Sequence, residues 1–340
     1  MMDNYGFYTG KSFDAYEFFG CHTDENGAVF RVFAPAAVRI SVIGEFNGWQ
    51  DTPMNKIGDG NFWAVYIEGV KPGQMYKYKI YKPDGSCMDH CDPYGYGMEL
   101  RPASASIVRN LYGYEFQDDA WMKKRSNGVA SALNIYEIHA GSWKKPQNGW
   151  YRYDELATQL VPYLKEYGYN YIELLPIGEH PCDESWGYQC SGFYSPTSRY
   201  GTLDDYKKMI DILHHNDIGV IMDFVPVHFA LDAYALAKFD GTALYEYPHK
   251  DVGNSEWGSC NFMHSRGEVR SFLQSCANYW LKEYHVDGLR MDAISNMIYW
   301  QGNPARGVNK DAVVFLQNMN EGLVTVAFCW RRRIPRCIRV

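Results

Sequence analysis

Residues 287–294 read DGLRMDAI, a short run in which charged residues interrupt apolar ones. Arg290 and Asp292 lie two positions apart, so on a β-strand their side chains point to the same face. A fixed cation beside a carboxyl group keeps that carboxyl ionised at neutral pH, which a nucleophile requires. The same spacing also forms ordinary structural ion pairs, so the role of this pair depends on where its strand ends.

The segments around this stretch alternate between strand and helix patterns. We predict four strands with helices between them. The strands are at 134–139, 171–175, 219–224 and 286–292, and the helices are at 153–167, 203–216 and 268–283. Repeated strand–helix units with apolar strands indicate a parallel sheet, as in doubly wound folds and (β/α)₈ barrels. The sequence shows no glycine-rich phosphate loop after any of these strands, which weakens a nucleotide-binding function.

Polar residues gather where the predicted strands end. They are His139, Glu179, His180, Asp223, His228, Arg290 and Asp292. A barrel places its active site at the carboxyl ends of its strands, so this placement favours a barrel over a doubly wound sheet. A single buried Asp or His is commonly structural, whereas the last four of these residues on one rim are hard to explain by packing alone.

The N-terminal part has a different pattern, in which short alternating strands are separated by turn residues. The strands are predicted at 29–33, 39–43, 62–67 and 75–81. This pattern is typical of an immunoglobulin-like β-sandwich. We divide the chain into an N-terminal extension (1–26), the sandwich (27–108), a linker (109–131), the barrel region (132–323) and a basic tail (324–340). The barrel region includes one long loop at 229–261.

Composition excludes several classes of function. The 340 residues carry 33 Lys and Arg against 40 Asp and Glu, a net charge of −7, so the sequence indicates no basic surface for nucleic acid. Residues 1–10 lack the apolar core of a secretory leader, and no run of about 18 apolar residues occurs, so we expect a cytoplasmic protein without a membrane span. Nine cysteines at scattered positions without metal-ligand spacing predict reduced thiols and no metal site.

Aromatic residues are abundant, with 10 Trp, 28 Tyr and 17 Phe. Flat rings with a polar edge match the apolar faces and hydroxyl perimeter of sugar rings, although ordinary cores also take aromatic residues. In the sandwich, the candidates for sugar contact are Trp49, Trp63 and Tyr66, and each of them is equally compatible with a place in the core.

Several motifs resemble the α-amylase superfamily, glycoside hydrolase family 13. Asp223 with His228, and residues 288–293, are similar to its first two signature regions, although Val227 stands where the amylase pattern commonly has Asn. Four further stretches resemble the glycogen branching enzymes within that superfamily, namely YEIHAGSW at 136–143, LPIGEHP at 175–181, SWGYQ at 185–189 and FDGTALYE at 239–246. FRVFAP at 30–35 and GEFNGW at 44–49 resemble carbohydrate-binding module CBM48.

The resemblance implies α-1,4-glucan branching in glycogen biosynthesis, with retention at the transferred sugar. It implies Asp292 as the nucleophile and Arg290 as its positioning cation. The residues implied to bind glucan around the cleavage point are Asp223, His228, Tyr188, Gln189, His180 and Trp186. It implies glycogen or amylose as the partner and neither a metal nor an organic cofactor, and it gives no oligomeric state.

The resemblance also implies a glutamate acid/base after a fifth strand, which we do not find. After the fourth strand we predict one helix at 311–323, in which Glu321 is the only acid after Asp311, and residues 324–330 do not have the pattern of the next strand. Five arginines follow within 331–340, and a shifted reading frame, a misplaced gene end or a real basic tail would each explain them. We therefore expect an incomplete barrel with an unpaired edge, and no branching activity from this chain alone.

Two other functions stay open. A debranching or trehalose-releasing hydrolase of the same superfamily shares the N-terminal module, although residues 239–246 argue against it. The second is a non-catalytic protein that binds glucan through the sandwich alone. This hypothesis predicts that residues 20–108 by themselves retain binding to glycogen or starch.

Overall fold

Alternating burial along the strands builds the N-terminal domain. In the computed structural model, which describes residues 3–125 and 132–323 and the backbone of 328–330, the strand Met75–Tyr81 buries Tyr76, Tyr78 and Ile80 and leaves the residues between them half-buried. This period of two brings one face of the strand into the core.

Two antiparallel sheets form this domain, with the strand orders β1-β2-β6-β5 and β4-β3-β7-β8, and β9 pairs beside β7. The strands are β1 (Gly20–Thr23), β2 (Gly27–Phe33), β3 (Arg39–Gly44), β4 (Thr52–Pro53), β5 (Asn55–Ile57), β6 (Phe62–Glu68), β7 (Met75–Tyr81), β8 (Cys87–His90) and β9 (Ser106–Ile107). Phe30 of the first sheet meets Tyr76 of the second with ring centroids 5.0 Å apart. The β-sandwich expected from the sequence is confirmed, and its first strand begins at Gly20, before the expected boundary at residue 27, because β1 pairs with β2.

A parallel sheet with helices between its strands forms the second domain. Its order is β10-β11-β14-β17-β18, and two short antiparallel ribbons, β12-β13 and β15-β16, lie beyond it. The strands are β10 (Ile135–Ile138), β11 (Tyr171–Leu174), β12 (Gly178–Glu179), β13 (Gly192–Pro196), β14 (Gly219–Phe224), β15 (His228–Phe229), β16 (Cys260–Asn261), β17 (Gly288–Met291) and β18 (Phe328–Trp330). The helices of the chain are α1 (Asn4–Thr9), α2 (Asp119–Arg125), α3 (Tyr153–Glu166), α4 (Leu203–His215), α5 (Lys250–Gly253), α6 (Gly267–Glu283), α7 (Ile294–Ile298) and α8 (Lys310–Leu323). The predicted alternation of strands and helices is confirmed.

Helix α4 shows why these segments become helices. Thr202 caps the helix, since its side chain accepts from the backbone N–H of Asp205 while the Asp205 carboxylate accepts from the N–H of Thr202. This reciprocal pair satisfies two backbone donors that no helical turn can satisfy. Tyr206 and Ile210 then follow at helical spacing, and both are fully buried against the sheet side.

The residues after α8 correct one expectation. Residues 328–330 form β18, which pairs in parallel with Gly288–Arg290 of β17, so the expectation that 324–330 contain no strand was wrong. The open edge of β17 supplies backbone donors and acceptors to any extended segment beside it, and this outweighs the weak local pattern. The rest of the basic tail, at 324–327 and 331–340, lies outside the described residues.

The first residues of the chain join the two domains, because the ring of Phe7 packs on that of Phe33 in β2 with centroids 5.3 Å apart and the same segment contacts α6. Helix α1 lies against α6, where Gln274 donates to the carbonyl of Gly10 and Ser271 donates to the carbonyl of Phe7. Gly267 comes so close to Tyr8 that an added Cβ would lie 1.8 Å from its carbonyl oxygen. The expected N-terminal extension is therefore part of the contact between the domains.

The expected linker at 109–131 includes helix α2, while its residues 126–131 lie outside the described part. Trp121 of α2 donates from its indole to the Asp287 carboxylate over 2.8 Å. The same carboxylate accepts from the N–H of Val220 and contacts His214, which also bonds Asp118. Because Val220 is the second residue of β14 and Asp287 precedes β17, this network fastens α2 to the amino ends of these strands.

The long loop at 229–261 reaches the sandwich as well as the carboxyl ends of the strands. Asp240 accepts from the backbone N–H of Ala36 over 2.9 Å, and the ring of Phe239 packs on His90 at 5.0 Å. Cys91 donates from its backbone to the carbonyl of Tyr234. The loop thus bridges the two domains at one end and borders the strand ends at the other.

In the described part of the chain, no helix is long and apolar enough to cross a membrane. Among the described residues, the cysteines at 21, 87, 91, 182, 190, 260 and 276 are free thiols.

Candidate functional site

Strands β14 and β17 are neighbours in the parallel sheet, and their register sets Asp223 opposite Arg290. Asp223 lies one residue before the carboxyl end of β14, and Asp292 follows the last residue of β17. Parallel strands end at the same edge of a sheet, so the pairing brings these polar side chains to one rim.

Arg290 holds the carboxylates of this rim together. Its Nη1 lies 2.8 Å from Asp223 Oδ2 and 2.8 Å from Asp292 Oδ1, and its Nε lies 3.9 Å from Glu173 Oε1. Two carboxylates that share one guanidinium nitrogen remain close despite their like charges, because the cation between them offsets the repulsion. These charges also raise the pKa of Arg290 although its burial acts in the opposite direction.

Asp223 is buried and receives a second hydrogen bond, from the Tyr188 hydroxyl to Oδ2 over 2.6 Å. Burial raises the pKa of Asp223 to about 7, while the Tyr188 hydrogen bond and the charge of Arg290 act in the opposite direction. Its other oxygen, Oδ1, is buried and has no hydrogen-bond partner among the described residues. That oxygen can accept a hydrogen bond from a ligand hydroxyl, which would remove the cost of leaving it unpaired.

His228 lies beyond the end of β14 and is buried. Its Nδ1 is 2.9 Å from the Ser259 hydroxyl, and its ring lies 5.1 Å from the indole of Trp257. Burial lowers the pKa of His228 to about 4, so the imidazole is neutral at pH 7. Gln189 reaches the same loop by donating to the carbonyl of Trp257 over 2.9 Å.

A cavity of about 290 Å³ lies beside this cluster, above the ends of β10 and β11. Trp186 lines it with 59% of its surface exposed, and His139 lies on the same wall with its ring 6.5 Å from the indole. His180 also lines the cavity, and burial lowers its pKa to about 4. The cavity combines the exposed face of Trp186 with polar and charged side chains, among which are Lys145, Asp183, Glu184 and Arg199, and these groups can hydrogen-bond the hydroxyls of a ligand.

A buried ion network supports the loop that carries Trp186 and Tyr188. Arg199 bonds Glu179 at 2.6 Å and Asp183 at 2.7 Å, and Arg101 adds a second ion pair to Asp183. Asp183 begins the short 3₁₀ helix that precedes Trp186. The pKa of Asp183 falls well below its usual range because of Arg101, with Arg199 adding to the effect.

The structure brings most of the predicted site residues together. Asp223, Arg290, Asp292 and Tyr188 form one hydrogen-bonded cluster, His228 and Gln189 meet at Trp257, and His180 and Trp186 line the adjacent cavity. Among the described residues, no group of three or more His, Cys, Asp or Glu is placed to hold a metal ion.

The two tryptophans predicted to bind glucan in the sandwich differ. Trp49 is 41% exposed, whereas Trp63 is 4% exposed and its indole donates to the carbonyl of Ala34. A buried indole cannot offer a face to a sugar, so the prediction for Trp63 was wrong. The position faces inward on β6, and Tyr66 on the same strand, at 45% exposed, is the open ring instead.

Three residues of the site were missed from the sequence. Glu173 lies inside β11, where an acid in an otherwise apolar strand was a usable signal. Trp257 and Ser259 lie in the long loop, which folds back to the rim through ribbon β15-β16. No local pattern indicates that return.

Two family models match the chain. Carbohydrate-binding module 48, described as the isoamylase N-terminal domain, matches residues 18–95, and the catalytic domain of alpha amylase matches residues 156–251. The chain therefore has a CBM48 β domain followed by an alpha-amylase catalytic region.

Relatives match along nearly the whole chain. The 1,4-alpha-glucan branching enzymes GlgB of Fusobacterium nucleatum and Geobacillus stearothermophilus are each 45% identical to it, over 326 and 330 residues, and that of Bacillus subtilis is 44% identical over 329. These matches cover 95%, 94% and 94% of this chain and 53%, 52% and 52% of the relatives. The chain thus spans about half the length of the curated relatives it matches.

Solved structures give the same fold. A protein of Salmonella typhimurium assigned as an alpha amylase matches 92% of this chain and 49% of its own, with a TM-score of 0.72 and 25% identity. Pullulanase from Bacillus acidopullulyticus matches 92% of this chain and 41% of its own, with a TM-score of 0.68 and 21% identity, and supports the fold alone.

Proposed function

We propose that this chain, which is homologous to the 1,4-alpha-glucan branching enzymes along 95% of its length, forms the part of such an enzyme that carries its glucan-binding module and its nucleophile. The reaction is cleavage of an α-1,4-glucan and transfer of the released segment to a 6-hydroxyl, with retention. The observation that carries the active-site assignment is the shared guanidinium of Arg290, which holds Asp223 and Asp292 on one rim.

Asp292 is the nucleophile in this proposal. Its carboxylate attacks the anomeric carbon, and the bond from that carbon to the leaving O4 breaks as a glycosyl ester forms. Arg290 at 2.8 Å favours the ionised carboxylate and fixes its direction. In the second step, the 6-hydroxyl oxygen of the acceptor bonds the same carbon, and Asp292 leaves as a free carboxylate.

Asp223, Tyr188 and His228 bind the sugar at the cleavage point. The buried, unpaired Oδ1 of Asp223 accepts from a sugar hydroxyl, and the ring of Tyr188 lies beneath the sugar. The neutral His228, oriented by Ser259, offers a further hydrogen bond without adding charge.

Retaining transfer requires a second carboxyl about 5 Å from the nucleophile, which protonates the leaving O4 and later accepts the proton of the acceptor hydroxyl. We assign this group to the region of the relatives that the chain does not span. Asp223 is held by both Tyr188 and Arg290, which fits a sugar-binding role better than proton transfer.

The sandwich is proposed to bind α-1,4-glucan through Trp49, with Tyr66 as a second exposed ring. A protein that only binds glucan is the second candidate function, and the match to a carbohydrate-binding module favours it. The cytoplasm, where glycogen is made from soluble precursors, is the proposed location.

The test joins residues 1–323 to the region of the Bacillus subtilis relative that follows its matched part. We expect this fusion to form α-1,6 linkages from amylose, measured by proton NMR, and Asp292→Asn to lower the rate by more than about 10³-fold. Asp217→Asn, which removes only an exposed ion pair with Lys124, is the control and leaves the rate unchanged.

Two outcomes contradict the proposal. Full branching by the Asp292→Asn fusion removes Asp292 as nucleophile. Release of free sugars without new α-1,6 linkages identifies a hydrolase of the same superfamily instead.

A further inference from the structure

Trp257 presents an open indole at the rim of the candidate active site. It lies on the long loop, is 42% exposed, and its ring centroid is 5.1 Å from that of His228 with 38° between the planes. Part of the indole thus covers a buried residue of the cleavage site while the rest faces solvent.

The backbone that carries this indole is held by hydrogen bonds at two atoms. Gln189 donates to the backbone carbonyl of Trp257, and the backbone N–H of Trp257 donates to the Ser255 hydroxyl over 3.2 Å. The hydroxyls of Ser255 and Ser259 bond each other, and Ser259 contacts His228 at 2.9 Å. A single exposed tryptophan on a surface needs no explanation, but the backbone of this one belongs to the hydrogen-bond network of the site and its ring packs on His228.

A second exposed indole, that of Trp186, lies above other strands of the same sheet. Trp186 lines the cavity above β10 and β11, together with His139, which follows β10. Trp257 lies above β14 and β17 instead, since it contacts His228, which follows β14, and the adjacent Glu256 accepts from Asn296, which follows β17.

One short segment relates both indoles to the cleavage point. Trp186 precedes Tyr188 by two residues, and Gln189 directly follows Tyr188 and holds Trp257. Because Tyr188 bonds Asp223 at the cleavage cluster, this segment links both indoles to that cluster.

We propose that Trp257 is a stacking platform for one glucose unit of an α-1,4-glucan, above β14 and β17, whereas Trp186 lies above β10 and β11. The glucan then lies across the carboxyl ends of the strands, from β10 and β11 towards β14 and β17. The C–H face of a pyranose covers the open part of the indole, and its hydroxyls stay in water at the edge. This inference rests on the proposed function and assigns a contact of the glucan beyond the residues proposed to bind the sugar at the cleavage point.

The test measures binding of maltoheptaose to the 340-residue chain by isothermal titration calorimetry. Trp49→Ala and Tyr66→Ala are introduced in the parent, so that binding by the sandwich does not obscure the site. Trp257→Ala in this background should weaken binding about tenfold, as expected from the apolar area that the indole no longer covers. Trp257→Phe keeps a ring and should stay within about threefold of the parent.

Tyr167→Ala is the matched control, because Tyr167 is 58% exposed and follows α3, at the amino end of the sheet. It should bind as the parent does, and circular dichroism melting checks that each variant folds. Parent-like binding by Trp257→Ala, with weaker binding by Trp186→Ala, overturns this inference and leaves the proposed function standing. No binding by the parent itself overturns the proposed glucan site and this inference with it.

Discussion

Replacing Asp287 with asparagine should loosen the attachment of helix α2 to the parallel sheet. The carboxylate of Asp287 is 4% exposed and accepts three hydrogen bonds, from the ring of His214 at 2.9 Å, the N–H of Val220 at 2.7 Å and the indole of Trp121 at 2.8 Å. Arg125 adds a charge 3.7 Å away. Asp287→Asn keeps the shape of the side chain and removes one of its acceptor oxygens.

The expected loss of stability follows from the number of hydrogen-bond donors that the Asp287 carboxylate satisfies. In either orientation of the new amide, its NH₂ group faces Trp121, or else faces both His214 and Val220, so at least one buried donor loses its acceptor. A hydrogen bond to a charged group contributes about 1.5–3 kcal/mol, and removing one partner of a buried ion pair costs about 3–5 kcal/mol. His214 keeps its bond to Asp118, so we expect a loss near the lower end, about 3 kcal/mol.

Hydrogen exchange read by mass spectrometry measures this loss locally, on peptides that cover 119–125 and 219–224. A loss of about 3 kcal/mol lowers protection by roughly 100-fold where exchange occurs through this local opening. Asp217→Asn is the control, since Asp217 and its partner Lys124 are both mostly exposed, and protection should change little. If the hydrogen-exchange protection of α2 in Asp287→Asn equals that in the control, the network does not hold the helix and the reasoning fails.

The same network gives a pH dependence with a defined sign. Burial lowers the pKa of His214, but the hydrogen bonds to Asp118 and Asp287 outweigh it and leave the pKa raised above 6.5. The folded protein therefore binds this proton more tightly than the unfolded chain does. Its contribution to stability is complete below pH 6.5 and is lost as pH rises through the raised pKa, so protection of α2 should fall in alkaline solution, and less so in Asp287→Asn.

Three further results are expected. Trp63→Ala should destabilise the protein by about 3–5 kcal/mol because it empties a core site, whereas Trp49→Ala should change stability by less than about 0.5 kcal/mol, as thermal melting would show. Burial lowers the pKa of His264 to about 4, so between pH 4 and 6.5 the unfolded chain binds a proton that the folded protein does not bind. The free energy of unfolding should therefore rise less steeply from pH 4 to 6.5 in His264→Gln than in the unmodified chain. An unchanged slope in urea titrations would contradict this. Asp240→Ala should leave the half-buried N–H of Ala36 without its acceptor and speed tryptic cleavage within 229–261, and a cleavage rate equal to that of the unmodified chain would exclude this anchor.

Strand and helix positions were predictable because burial imposes a period on the sequence. The strand at 75–81 and the strand at 219–224 have the predicted bounds, and α3, α4 and α6 begin or end within about a residue of the predicted ones. These segments bury one face or both, so their apolar residues record their surroundings. Strand β18 was missed because three residues beside an open sheet edge carry no period of their own.

The core of the candidate site was also predictable, for a geometric reason. Asp223 and Arg290 each lie near the end of a parallel strand, and adjacent parallel strands end together, so the two positions had to meet. Trp63 and Trp257 were not predictable in this way. Whether an indole on a sandwich strand faces in or out depends on register, and where a long loop returns depends on contacts far away in the chain.

The position of the FDGTALYE stretch at 239–246 changes what it is expected to do. In the sequence this stretch argues against a debranching or trehalose-releasing hydrolase, yet in the structure Phe239 packs on His90 and Asp240 bonds Ala36, both in the sandwich. The stretch therefore fixes one end of the loop whose other end carries Trp257 to the active-site rim. Because the loop is anchored on the sandwich, that domain has a structural task besides any glucan binding. It helps to position a wall of the candidate site, which gives a physical reason for the contact between the two domains.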